Sequence, residues 1–358
     1  MLYLGSLLFY LAVFGISAIL VSKGKHTKLF PIIGIFILII ISAIRYGVGS
    51  DFFSYMYQLN SIKLVSWGEL LKEVNLFNEP GFLFLKKITS ILGGGVVFWG
   101  TCSAIVLLLF YVTLKKQYYH VSIGLAFVFF IFVFFPSSFN MTRQFISGCI
   151  VFYSFKYVFE KNIKKYLLFV FVAFLFHISA ITAIPIYFLW DAKRFSTLKA
   201  WKLVFVLAII VLTILNYQVL IELVSRIHHF QRYFVYSLDK PIGYNRDFYL
   251  NLLISLFLII LRKKLVRIDK RNELFILLFI ISLAINITGF INPYIKRIGF
   301  YYELPLTIIT GYIPYLFKDN SKLIIKIIVV LYALIYFVIV YYVLGHSEIF
   351  PYKTYFSQ

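Results

Sequence analysis

Charge is scarce in this chain. Of its 358 residues only 14% are Asp, Glu, Lys or Arg, against about 25% in soluble domains. That shortage excludes a soluble fold of this size. Acids are the scarcer sign, 14 against 35 bases, which leaves a formal net charge of +21. Cysteine is almost absent. Cys102 and Cys149 sit inside apolar segments without metal-type spacing, so neither a disulfide framework nor a thiolate metal site is expected. A glycine-rich phosphate loop, a short fixed-period repeat and a low-complexity linker are also missing. Their absence speaks against P-loop nucleotide binding, a solenoid and a tethered second domain. No basic segment precedes the first apolar stretch, 2–21, and no small-residue cleavage site follows it. It reads as a retained helix, not a signal peptide.

What the chain has instead is apolar sequence. Hydrophobic residues make up 62% and the mean hydropathy is +0.91. Stretches long enough to cross a bilayer recur from end to end, so the expected fold is all-α: one polytopic membrane domain, 1–358, of about ten transmembrane helices with external amphipathic segments. The spans fall near 2–21, 29–44, 96–114, 120–138, 143–159, 203–220, 248–261, 273–291, 298–317 and 323–345. Basic clusters between them, such as KGKHTK (23–28), RKKLVRIDKR (262–271) and KDNSKLIIK (318–326), read as cytoplasmic, because cytoplasmic loops collect Lys and Arg. The same rule accounts for the net charge. The bilayer is an expected partner and nucleic acid is not.

One segment breaks the parity of these spans. YLLFVFVAFLFHISAITAIPIYFLW (166–190) has basic clusters on both sides, and a single crossing would put one of them outside. Two arms of about a dozen residues, each too short to span, keep both inside as a re-entrant hairpin turning near His177. A single long helix kinked before Pro185 is the alternative. With the hairpin, both termini face outward. Arg45, Arg143, Arg226, Arg232, Arg246 and Arg297 then lie outside, six of ten arginines against seven of 25 lysines. Orientation signals do not need Arg over Lys. Two-point recognition of phosphate does, because the guanidinium fork is planar and always charged.

Five places could hold chemistry. In RYGVGSDFFSYMY (45–57), Gly47 and Gly49 permit backbone conformations that other residues resist. Ser50 is a suitable N-cap for a helix starting at Asp51, and Asp51 and Tyr55 then share a face at i, i+4. The glycine turn folds Arg45 back toward Asp51. This is either an ion pair fastening a loop or a carboxylate beside a cation at the mouth of a cavity. In FNMTRQFIS (139–147) Arg143 is expected one turn inside an apolar helix, where it is costly unless paired or facing water. His177 is the third candidate. FQRYFVYSLDKPIGYNRDF (230–248) interleaves Arg232 with Tyr233 and Tyr236, which on an external face suits sugar rings flanking phosphates. An aromatic belt at the membrane interface would explain the tyrosines but not the arginines. NPYIKRIGFYYELP (292–305) sets Arg297 and Tyr301 at i, i+4, with Glu303 either a further acid or a buried partner of Arg297. The outer loops contain no acidic pair at metal spacing. Glu69 and Glu73 lie in a Lys-bearing amphipathic stretch that reads as solvated surface. Neither metal nor cofactor is expected.

Taken in order, these segments resemble the EpsG family of polysaccharide biosynthesis proteins, which includes Wzy-type polymerases of O-antigens and capsules. The resemblance rests on RYGVGSDFFSY after the second span, EPGFLFL (79–85), TRQFISG (142–148), FHISAI (176–181), RYF-Y (232–236) and KRIGFYYELP (296–305), over nearly the whole chain. Phe52 stands where the family pattern often has Tyr. The resemblance implies a GT-C-like glycosyltransferase of the bacterial inner membrane, with its site facing the periplasm or exterior. Donor and acceptor would be undecaprenyl-diphosphate-linked oligosaccharides, the growing chain being moved onto a single repeat unit. A chain-length regulator of the same pathway is an expected partner.

Attack of a sugar hydroxyl on an anomeric carbon needs a base near the acceptor and cations near the departing diphosphate. Asp51 is the first candidate base and His177 the second. Asp51 alternatively positions the acceptor, since a neighbouring cation disfavours protonation of a carboxylate. Arg143 and Arg297 are candidates for stabilising the diphosphate, and Arg45 for positioning Asp51 or binding phosphate. Tyr55, Arg232, Tyr236 and Tyr301 are candidates for binding the substrate. Two rival functions fit a polytopic chain. A flippase or exporter of lipid-linked glycan would show pseudo-repeated halves, and a membrane O-acyltransferase would draw its acyl donor from the cytoplasm.

Overall fold

Apolar runs of this length leave backbone amides without water, and helices satisfy them within the segment. The computed structural model describes residues 3–25, 27–118, 121–190, 246–287, 289 and 295–356. Among the described residues there is no strand, only one isolated antiparallel bridge between Arg45 and Thr354. The chain opens with α1 (Leu4–Ser22), α2 (Leu29–Ile44), α3 (Phe52–Leu64), α4 (Trp67–Glu73) and α5 (Pro80–Leu92). Then come α6 (Gly94–Gln117), α7 (Ile123–Phe129), α8 (Thr142–Phe159), α9 (Ile163–Phe176) and α10 (Ile186–Leu189). The last are α11 (Arg246–Ile268), α12 (Asn272–Ile287), α13 (Phe300–Glu303), α14 (Leu306–Tyr312) and α15 (Asp319–Phe337).

The protein is an all-α membrane protein. Among the described residues three helical stretches are long and apolar enough to cross a membrane: α1, α6, and α15 with its continuation to Val343. Shorter apolar helices are α2, 123–139, 178–189 and α12. The expected span 203–220 lies outside the described residues. Two expected spans are not single helices. The run 120–138 begins as α7, widens into a π turn at Phe130–Phe134 and tightens to a 3₁₀ turn at Phe135–Phe139. Pro136 has no N–H to continue an α pattern, and the Tyr341 hydroxyl donates to the Val133 carbonyl at 2.7 Å. The run 298–317 is broken in the same way. It falls into a 3₁₀ turn (Ile295–Gly299), α13, α14 and a 3₁₀ turn (Ile313–Leu316), with Pro305 and Pro314 each removing a donor.

The chain divides into two compact units, one of 1–156, 167–181 and 307–358, the other of 157–166 and 182–306. In the first, α2 packs on α1 and α6, α5 on α3 and α6, and α7 on α1 and α15. Its C-terminal residues return to the loop after α2. Tyr46 donates to the Lys353 carbonyl at 2.9 Å, Tyr355 to Ile44 at 3.0 Å and Gly49 to Glu348 at 3.0 Å. Gly47 and Gly49 sit at φ 63° and 99°, the left-handed region their sequence context implied. At Gly49 a Cβ would also stand 2.6 Å from Asn140 Oδ1, so only glycine seats this loop against 139–140.

In the second unit α11 packs on α12. Arg262 on α11 bonds Glu273 on α12, with Nε donating to Oε2 at 3.0 Å. The stem of the 166–190 segment is also here. The Tyr166 hydroxyl donates to the Ala183 carbonyl at 2.8 Å, the Tyr166 and Tyr187 rings lie 5.7 Å apart, and the Lys161 ammonium bonds the Trp190 carbonyl. The segment therefore doubles back as two short arms and is not one long kinked helix. Its turn follows α9, at His177.

Candidate functional site

The site assembles around Glu79, at the junction into α5. Asn75 Oδ1 accepts from the amides of Phe77 and Asn78 and shapes the preceding 3₁₀ turn. Glu79 then adopts φ 52°, ψ 61°, a left-handed conformation uncommon outside glycine and costing about 1 kcal/mol or more. Pro80 follows as the first residue of α5, where its missing N–H has no helical partner to lose. At Gly81 a Cβ would stand 3.1 Å from both Cβ and O of Leu175. The start of α5 can therefore lie directly against the end of α9, which brings Glu79 to His177.

A second device fixes α3 against α5. Lys87 on α5 is 3% exposed, and its ammonium donates to the carbonyls of Ile62, Lys63 and Val65 at 3.0, 3.2 and 2.6 Å. These are the orphan carbonyls at the C-terminus of α3, where a cation is favoured. With α3 held there, Tyr55 faces the first turn of α8, which carries Arg143.

Residues of α8 and of the turn after α9 thus converge on one carboxylate at the start of α5, and α3 reaches it through Arg143. Glu79 Oε1 lies 2.6 Å from His177 Nδ1 and accepts from the Ile178 amide at 3.3 Å. Glu79 Oε2 accepts from Arg143 Nη1 at 2.5 Å, and Arg143 Nε donates to the Tyr55 hydroxyl at 3.3 Å. Burial pushes the Glu79 carboxyl up, but the His177 hydrogen bond and the Arg143 charge outweigh it and hold it at about 2. A carboxylate that stays ionised only accepts, so Nδ1 of His177 must donate. In the neutral imidazole this leaves Nε2 as the acceptor.

Neither Nε2 of His177 nor Nη2 of Arg143 has a partner among the described residues. The Arg143 side chain is 40% exposed and that of His177 16%. A base and a guanidinium edge are therefore both available, anchored through the same acid. Lys86, about two turns along α5, donates to Gln58 at 2.9 Å. Burial, and then the Arg143 charge, lower its ammonium to about 8.

These residues lie between 55 and 178, well inside the stretch that one family model recognises. The EpsG family matches residues 28–354. The chain belongs to the EpsG family. Comparisons with curated proteins and with solved structures find no match.

Within this EpsG-family chain the residues marked by sequence fare differently. Arg143, His177 and Tyr55 are brought together. Arg143 is the second residue of α8 and not one turn inside it, because the 3₁₀ turn at Pro136 delays the helix to Thr142. Arg45 does not fold back onto Asp51. It is 2% exposed, with its guanidinium between the rings of Trp99 (4.1 Å) and Phe139 (3.9 Å) and Nη2 donating to the Phe139 carbonyl at 3.3 Å. The C-terminal tail, bridged to Arg45 through Thr354, turns it inward.

Helix α3 starts at Phe52 with Asp51, not Ser50, at the N-cap, and Asp51 makes no side-chain capping bond. Its carboxylate is half-buried, one turn before Tyr55, and makes no ion pair among the described residues. In the second unit Arg297 is exposed and Tyr301 buried. Glu303 accepts from Asn251 at 3.1 Å and Asn286 at 2.8 Å. Arg232 and Tyr236 lie outside the described residues.

Glu79 and Lys86 are not among the residues that sequence reading marks. Both belong to or adjoin the segment EPGFLFL. The available signal was an acid placed directly before a helix-opening proline in a chain with only 14 acids.

Proposed function

We propose that this EpsG-family chain is a polysaccharide repeat-unit polymerase, a metal-independent glycosyltransferase of the bacterial inner membrane acting on its outer side. The observation that supports this most is the Glu79–His177–Arg143 arrangement, in which one acid orients a base and a cation. An acceptor hydroxyl on a lipid-linked repeat unit attacks the anomeric carbon of the donor glycan. The bond from that carbon to the phosphate oxygen breaks, and undecaprenyl diphosphate leaves with the electron pair. His177 Nε2 takes the hydroxyl proton as general base. Glu79 holds Nδ1–H, fixes the tautomer and stabilises the imidazolium that forms, as the carboxylate does in other acid-oriented imidazoles.

Arg143 offers its uncommitted edge to the diphosphate as charge develops there, with Lys86 as a second cation. Asp51 positions the acceptor. Arg297, Arg232 and Tyr236 are the further candidates for binding the lipid-linked glycan, Tyr301 being buried in the fold, and a chain-length regulator acts on the same product. A base with a fixed tautomer favours transfer over flipping, because moving an intact lipid-linked glycan requires no proton acceptor.

The test is purified protein in detergent, supplied with lipid-linked repeat units and nothing else. Lengthening of the glycan on a gel is expected. Wild-type protein that binds this substrate and never lengthens it, with no other component missing, overturns the reading.

A further inference from the structure

Arg45 raises a separate problem. Its charge is enclosed, yet among the described residues it has no carboxylate partner, and Nε and Nη1 have no hydrogen-bond acceptor. A buried cation is tolerated when paired or hydrogen-bonded and costly otherwise. The faces of Trp99 and Phe139 offset part of that cost through cation–π attraction. The edge of the guanidinium meets a small cavity, lined further by Cys102, Ser103, Ser138 and Thr142. The cavity volume is about 10 Å³, room for one small species.

A second source of positive potential reaches the same cavity. Thr142 is the first residue of α8, an 18-residue helix with no acid in its first turn. A helix N-terminus favours anions, and here nothing from the helix itself meets that preference. The Thr142 hydroxyl donates to the Ser138 carbonyl at 2.9 Å. The hydroxyls of Ser103 and Ser138 are left as the neutral donors on the lining.

We infer that this cavity is a binding site for a small inorganic anion of halide size. The ion is held by Nε and Nη1 of Arg45 and the Ser103 and Ser138 hydroxyls, with the α8 N-terminus contributing its field. Larger anions do not fit the volume, and a neutral water would leave the buried charge uncompensated. The site joins the loop after α2, α6 and the start of α8. An occupied site therefore braces the turn that carries Arg143, without touching the reacting groups.

The experiment is thermal unfolding of the purified chain in detergent, with chloride exchanged for gluconate at constant ionic strength. Wild-type protein should show a saturable rise of roughly 2 °C at ten times the apparent Kd, reproduced by bromide. Arg45→Gln should abolish the rise. Because that variant removes a packed side chain and risks misfolding, Ser103→Val serves as the second arm. It fills the cavity, keeps the guanidinium, and should also abolish the halide response. Equal midpoints in chloride and gluconate would mean that the cavity takes only water, and the inference fails. A halide response that survives in Ser103→Val places the ion elsewhere and overturns it too. None of these readouts depends on polymerase activity.

Discussion

Arg45 and Arg143 meet the same stretch of chain, 139–143, and are handled in opposite ways. Arg45 stacks between Trp99 and Phe139 and finds no acid. Arg143 pairs with Glu79 and Tyr55 and keeps 40% of its side chain exposed. An arginine enclosed by rings is a fixed part of the packing, with its charge answered by π faces and, on the inference above, by an ion. An arginine held through one edge by an acid keeps its other edge for a ligand. The difference lies in whether the partner leaves donors over, since five N–H groups on a planar fork can serve two masters only when one edge is open.

The largest effect should come from the acid–imidazole pair on the Arg143 side. His177→Gln removes the base, and polymerisation by purified protein should fall about 10³-fold. Glu79→Gln keeps the shape but puts an NH₂ where two donors now converge, and a fall of about 10²-fold or more is expected. Binding of lipid-linked repeat units should persist in both. If His177→Gln still polymerises while Asp51→Asn does not, Asp51 is the base and the roles assigned here are reversed.

The two arginines should next part under the same substitution. Arg143→Lys keeps the charge but loses the two-point fork, so kcat should drop about 10- to 100-fold with a modest change in KM. Arg45→Lys loses the planar stack on two rings, and its effect should appear in the unfolding midpoint, as about 1 kcal/mol of stability. A nearly silent Arg143→Lys with normal chain lengths would make its ion pair with Glu79 a purely structural fastening, and the contrast between the two sites would collapse.

How much of this was legible in the sequence follows from the range of each interaction. The all-α membrane class was legible because hydrophobic runs are local. So was the left-handed turn at Gly47 and Gly49, and so was a reversal near His177, one of the two readings that basic clusters on both flanks left open. Arg143's need for a partner could also be read. The partner itself could not, because Glu79 lies 64 residues from Arg143 and 98 from His177. The packing of α5 against α9 brings His177 to it, and the start of α8 brings Arg143. Arg45 misled for the same reason. Asp51 is close in sequence, but the C-terminal tail around Thr354 pairs with the loop and decides where the side chain goes. The breaks at Pro136 and Pro305 were visible as residues. The unbroken apolar sequence around each hides the break, because hydropathy does not distinguish an α turn from a 3₁₀ turn.

The smallest expected effect is in acid, and it tests the contrast through stability alone. The Glu79 carboxyl is held at about 2, against an ordinary value of 4.5. A depressed value means that the unfolded chain takes up a proton before the folded one does. The stabilisation is therefore complete above the ordinary carboxylate range and is lost as pH falls toward about 2. The groups that produce it are Arg143 and His177, on α8 and after α9, with Lys86 close enough to feel the same charges. No carboxylate pairs with Arg45 among the described residues, so its contribution has no such dependence. The measurement is the unfolding midpoint of wild type, Glu79→Gln and Arg45→Lys in one detergent, at pH values from about 5.5 down to about 3.5. The gap between wild type and Glu79→Gln should narrow over that interval, while the gap to Arg45→Lys stays level. If both gaps narrow together, a carboxylate faces Arg45 as well, and the two arginines are not handled differently after all.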